Sequence, residues 1–202
     1  MTALDRLAEE PRWVAWRSED RGGRPTKIPY AATGGMAKTD DPSTWATRAA
    51  AERQAARIVN GADGGVGIVL GDVGDTMHLV GIDLDSCLGA DGQIAPWAVE
   101  ILAAAASYAE ISPSGRGVKV FFFVASDEVR PFLDRIGAQS GQWGARRDVP
   151  GEDARDHGPA VEIYFARRYF AVTDNRWPGV PDEIALIGDS ELARLAALIP
   201  PA

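Results

Sequence analysis

The run Leu79-Val80-Gly81-Ile82-Asp83-Leu84-Asp85 closes an apolar stretch with two carboxylates two residues apart. On a strand, positions i and i+2 share a face, so Asp83 and Asp85 project side by side. Like charges that close repel unless a cation neutralises them, and hard carboxylate oxygens suit Mg2+ or Mn2+. An Asp-x-Asp pair also arises by chance at a solvated strand end, so the pair alone admits both readings. Val161-Glu162-Ile163-Tyr164 is a second apolar strand broken by one acid. Glu162 either adds a third carboxylate to a metal-binding face or stands exposed on a half-buried strand.

Between these runs lies Ser112-Pro113-Ser114-Gly115-Arg116-Gly117-Val118-Lys119. Its glycine lets backbone N–H groups approach a phosphate, and Arg116 and Lys119 supply positive charge, which makes Ser114, Gly115, Arg116 and Lys119 nucleotide-binding candidates. The pattern is not a P-loop, and such a turn can simply connect two strands. After the Glu162 strand come Arg167-Arg168-Tyr169-Phe170, and Lys27 sits in a Lys-x-Pro-Tyr segment, either as a cleft residue or as a solvated hairpin lysine. Trp13 and Trp16, three positions apart, are expected to pack into the core from a twisted or bulged strand. His78 and His157 have no partner spacing for metal or catalysis and take structural or solvent roles. Cys87, the single cysteine, is a packing residue and allows no internal disulfide.

The elements that must hold these residues alternate strands and helices. Trp13-Val14-Ala15-Trp16 and Lys27-Ile28-Pro29-Tyr30 flank a charged, Gly-bearing turn and predict a hairpin. Asp41 begins a capped helix start, with helix over Ala46 to Val59. Val66 to Leu70 and Met77 to Leu84 are expected to pair across Gly71-Asp72-Val73-Gly74-Asp75. A helix over Ala95 to Ala106, a strand near Tyr108 to Ile111, the strand Val118 to Val124 and a helix over Asp127 to Ile136 follow. Gln139 to Pro159 is polar and without period, which predicts a long surface loop. Val161 to Tyr164 and Tyr169 to Val172 predict a hairpin, and Asp182 to Leu198 one or two closing helices.

At 202 residues with 46% hydrophobic and 25% charged side chains, the chain can bury a core. A net charge of −8 argues against a protein that coats DNA non-specifically, although acids that hold cations contribute to that total. Met1 to Arg12 is acidic, so no signal peptide is expected. Ile101 to Ala106 is too short for a membrane span, which needs about 20 apolar residues. A cytoplasmic protein is the expectation.

The order of these motifs, together with Pro-x-Trp-Val-x-Trp, Lys-x-Pro-Tyr, Ser-Pro-Ser-Gly-x-Gly and Glu-Ile-Tyr-x-x-x-Arg-Tyr-Phe, resembles the primase-polymerases of the archaeo-eukaryotic primase superfamily. The likeness is to those of phages, plasmids and integrated elements, and it covers about Pro11 to Thr173. It implies an α+β fold, an α/β unit packed on an RRM-like sheet with the cleft between, and a single catalytic domain over 1–202 with two lobes. It implies template-directed nucleotidyl transfer from nucleoside triphosphates in DNA replication. Two Mg2+ or Mn2+ ions would be held by Asp83, Asp85 and Glu162, with Ser114, Gly115, Arg116, Lys119 and Arg168 at the triphosphate and Lys27 near the cleft. Implied partners are single-stranded template, primer, and a helicase on another chain or in an absent C-terminal portion, with no membrane. Two departures stand out: Lys119 occupies the place of the family's usual His, and Asp174-Asn175 the place of Thr-Gly. A metal-dependent nuclease and a non-catalytic DNA- or nucleotide-binding module are the alternatives. Removing both aspartate charges is expected to leave the fold intact, because crowded carboxylates repel.

Overall fold

The computed structural model describes residues 2–60, 63–150 and 158–201. Its strands are β1 (Trp13–Asp20), β2 (Pro25–Tyr30), β3 (Gly64–Val69), β4 (Gly71–Gly74), β5 (Met77–Asp85), β6 (Ala109–Ile111), β7 (Val118–Ala125), β8 (Gly144–Asp148), β9 (Ala160–Tyr164) and β10 (Tyr169–Val172). Its α-helices are α1 (Arg48–Ile58), α2 (Pro96–Ala105), α3 (Ser126–Arg135) and α4 (Asp189–Leu198). The fold is therefore mixed α+β with antiparallel sheets. The chain divides into two compact units, Met1–Val69 with Arg167–Thr173, and Leu70–Ala166 with Asp174–Ala202.

In the first unit the sheet order is β10-β3-β1-β2, and α1 packs on β1 and β3. The β1–β2 hairpin forms as expected, with Arg17 opposite Ile28. Trp13 and Trp16 are both buried, yet the pairing of β1 with its neighbours is unbroken, so no bulge is needed. Alternation sends the two rings to opposite faces. Each buried indole keeps its N–H bonded: Trp13 donates to Leu7 O at 2.7 Å and Trp16 to Val66 O at 3.0 Å.

In the second unit the sheet runs β6-β7-β5-β9-β8, with β4 paired to β5. Val80, Ile82 and Leu84 of β5, Val118, Val120, Phe122 and Val124 of β7, and Val161 and Ile163 of β9 form one apolar face. They share a core with Ile101 of α2, Phe132 of α3 and Leu195 of α4. Each fully buried side chain of this kind stabilises the fold by about 1.5–3 kcal/mol. The odd-numbered residues of β5 and β7 are thereby committed to the other face.

Four sequence expectations are corrected or narrowed. The runs 66–70 and 77–84 do not pair, because β3 lies between β1 and β10. The hairpin partner of β5 is β4, joined to it through Asp75 and Thr76, both at positive φ, which is the backbone a two-residue hairpin loop requires. Likewise 161–164 and 169–172 are not a hairpin: β9 joins β5 and β10 joins β3. The segment 139–159 contains β8, which adds to the free edge of β9 although only Ala145 within it is buried. Pairing, rather than apolar periodicity, makes that strand. Of the region 182–198, only Asp189–Leu198 is α-helical.

Gly117 enters β7 where a Cβ would lie 2.8 Å from Leu84 O and 3.3 Å from Ser112 Oγ. Gly117→Ala is expected to destabilise the protein by about 1–3 kcal/mol through this backbone clash, read by chemical denaturation.

Candidate functional site

Register builds the site. Glu110 of β6 stands opposite Lys119 of β7, Lys119 opposite Asp83 of β5, Asp83 opposite Glu162 of β9, and Glu162 opposite Arg146 of β8. Directly opposed residues project to the same face, so five charged side chains form one row across the sheet, on the side away from the helices. Asp85, two residues beyond Asp83, joins that face at the end of β5.

Asp83, Asp85 and Glu162 each offer a carboxylate oxygen, and these oxygens lie within 4.8 Å of one another. The three acids singled out in the sequence are thus brought together. Asp83 and Glu162 are largely buried, with side-chain exposures of 13% and 9%. Asp83 Oδ1 is buried and has no hydrogen-bond partner among the described residues. An orphaned buried carboxylate oxygen costs about 1–3 kcal/mol or more, and hard oxygens around it fit Mg2+ or Mn2+.

Protein cations flank the acids. Lys119, itself 8% exposed at the side chain, pairs with Asp83 through Oδ2. Arg146 donates to Glu162 Oε1 at 2.6 Å and to Asp85 Oδ2 at 3.3 Å. Tyr164 donates its hydroxyl to Glu162 Oε2 at 2.9 Å. Burial, reinforced by the charges of Asp83 and Glu162, lifts the Asp85 carboxyl from 3.8 to about 6. Glu110 is fully buried, and its Oε2 accepts from Tyr108 OH at 3.3 Å and from the Asp174 amide at 3.1 Å.

The Ser112–Lys119 turn is ordered by its own side chains. Ser112 Oγ meets Ser114 Oγ at 3.0 Å and accepts from the Gly117 amide at 3.2 Å, while the Arg116 amide donates to Ser114 Oγ at 3.3 Å. Gly115 adopts φ 69°, and Ser114, Gly115 and Arg116 are exposed. Lys119 reaches the acids from β7. Lys27 and Arg168 belong to the first unit, where both are exposed and the Lys27 ammonium lies 5.4 Å from the centre of the Trp16 ring. His78 Nδ1 is 3.0 Å from Ser126 Oγ, a structural contact, and His157 lies outside the described residues. Cys87 is buried, which pushes its thiol up to about 12.

Sequence reasoning missed Glu110 and Arg146. Glu110 was legible as an acid within a short apolar strand, like Glu162. Arg146 gave no signal, because β8 has no apolar period.

No protein-family model matches the chain. The "DNA Primase-polymerase" of Nitratiruptor phage NrS-1 is 30% identical over 193 residues, 93% of this chain and 23% of the relative. The chain thus spans about a quarter of that relative's length, and the similarity covers nearly all of this chain.

The pairing of Asp83 with Lys119 changes the expectation for the aspartates. Asp83→Asn removes the carboxylate paired with a buried ammonium and is expected to destabilise the protein by about 3–5 kcal/mol, with part recovered when Lys119→Met is added. A double-mutant denaturation cycle checks this. Asp85 behaves oppositely. Its folded-state pKa is raised, so the stability it contributes is present below about 3.8 and lost as pH rises through about 6. In EDTA, Asp85→Asn should therefore gain stability relative to the parent between those pH values and keep the gain above them, measured by denaturation across the range.

Proposed function

We propose, from the premise that this chain is a primase-polymerase domain, that it transfers nucleotides from nucleoside triphosphates to a primer end during DNA replication. The family likeness supports the reaction class. The observation that carries the site is the acidic triad on one sheet face, with a buried carboxylate oxygen that has no partner among the described residues and two flanking cations. The phage relative favours replication of a mobile element as the setting, and the superfamily core expected from the motifs belongs to the same reading.

Asp83, Asp85 and Glu162 would hold two divalent cations. When bound, these ions supply Lewis acidity to the primer 3′-hydroxyl and neutralise charge on the triphosphate and departing pyrophosphate. The new bond joins the 3′-oxygen to the α-phosphorus, the α–β phosphoanhydride breaks, pyrophosphate leaves, and the hydroxyl proton passes to solvent. Lys119, fixed by burial, offers a point charge to phosphate where the family's usual residue is His. Arg116 and the Ser114-Gly115 turn supply exposed donors. For Arg168 and Lys27 the support is the motif resemblance alone. The protein's contribution is positioning and charge stabilisation, with no covalent intermediate.

Incubation with template, primer, labelled deoxynucleotides or ribonucleotides and Mn2+ should give primer extension that Asp85→Asn abolishes. Cleavage without extension would point to a nuclease, and binding without turnover to a non-catalytic replication module. Lys119→Met should weaken triphosphate binding by about 1.5–3 kcal/mol. Unchanged affinity in a Mn2+-containing titration removes Lys119 from the substrate site.

A further inference from the structure

We propose that Arg146 is an additional substrate-site residue, an internal counter-cation that a divalent ion displaces and that then binds a phosphate oxygen. The inference rests on the metal-site reading above. Arg146 touches two of the three acids through one nitrogen, Nη1, at 2.6 Å from Glu162 Oε1 and 3.3 Å from Asp85 Oδ2. Both carboxylates belong to the cluster a cation would use, so a bound ion and the guanidinium compete for the same negative charge.

The two basic neighbours of the triad differ in freedom. Lys119 sits on an interior strand with its side chain 8% exposed, whereas Arg146 projects from β8, at the end of the sheet, with 40% exposed. Its other arm meets Asp148, 84% exposed, at 3.2 Å. Such a surface pair holds a side chain weakly, so Asp148 does not anchor it. Displaced by like-charge repulsion, the guanidinium stays within a side chain's length of the acids, on the flank opposite Lys119. There its planar fork suits the non-bridging oxygens of a phosphate held at the metal face. The phosphate belongs either to a triphosphate or to a nucleic-acid backbone, and both are anions of the same kind.

The test uses the whole chain with Arg146→Gln and Arg146→Lys, each matched to the parent by thermal melting. Mn2+ affinity is read from the free-ion electron paramagnetic resonance signal. Affinities for a nonhydrolysable nucleoside triphosphate and for a single-stranded oligonucleotide are then measured at saturating Mn2+. Arg146→Gln should bind Mn2+ at least about threefold more tightly, because a competing charge is gone. It should bind one of the phosphate ligands roughly tenfold more weakly. The ligand that responds identifies the source of the phosphate, and Arg146→Lys should fall between parent and Arg146→Gln in both measurements. A purely structural role would lower all affinities together. Unchanged or weaker Mn2+ binding by Arg146→Gln overturns the competition, and unchanged affinity for both phosphate ligands overturns the substrate contact. A parent chain that takes up no Mn2+ overturns the metal site itself, a result distinct from equal uptake by parent and variant.

Discussion

The buried ion pair between Lys119 and Asp83 is the contact on which the site's arrangement depends. Three carboxylates within 4.8 Å of one another repel strongly in a protein interior, and β5 cannot separate two of them because its own period places them together. Lys119 on one side and Arg146 on the other offset that repulsion through neighbouring strands. With all groups ionised, the three acids of the cluster and Glu110 face only Lys119 and Arg146, so the face is short of positive charge. That deficit coincides with the Asp83 oxygen that has no hydrogen-bond partner among the described residues. Asp85, the most exposed of the three, responds to the same field with a raised pKa. The folded chain therefore holds its acids in a balance that is stable enough to form and short of positive charge.

A buried ion pair is weak evidence for stability, since desolvation can cancel its Coulombic gain. Its value here is geometric. Lys119 is fully committed by burial, so an anionic substrate near it meets a charge that need not reorganise, which is the condition for electrostatic preorganisation. A histidine in the same place would offer directional donors and a protonation state tied to pH. Lysine keeps the charge and gives up that directionality. Glu110, fully buried and opposite Lys119 in register, puts an acid on the other side of the lysine from Asp83.

Much of this was legible because strand geometry is simple. Asp-x-Asp at the end of an apolar run fixed the face shared by Asp83 and Asp85, and alternation put Lys119 opposite in face to Val118 and Val120. Helices α1 to α3 followed from composition and caps to within about two residues. What failed was pairing. Three strand pairs were expected to close on themselves; β1 and β2 do, yet β3 and β10 pair with each other and β4 intervenes before β5. Pairing is a non-local choice that local propensity does not encode. Arg146 was hidden for the same reason, since β8 exists by virtue of the free edge of β9 and its sequence reads as loop.

The charged row also explains why the apolar face matters to chemistry it never touches. A one-residue slip of β9 against β5 would replace Glu162 with Val161 or Ile163 and turn the acid into the helix-packed core. What prevents the slip is the burial of Val161 and Ile163 with Val80, Ile82 and Leu84 beneath the helices. Losing even two such side chains to solvent would cost about 3–6 kcal/mol, which exceeds what an exposed pair such as Arg146 with Asp148 can supply. The register of the acids is thus enforced from the opposite side of the sheet. That leaves the Asp83 end of the opposite face able to carry charge, whereas Leu79, Phe121 and Phe123 farther along the same face are buried.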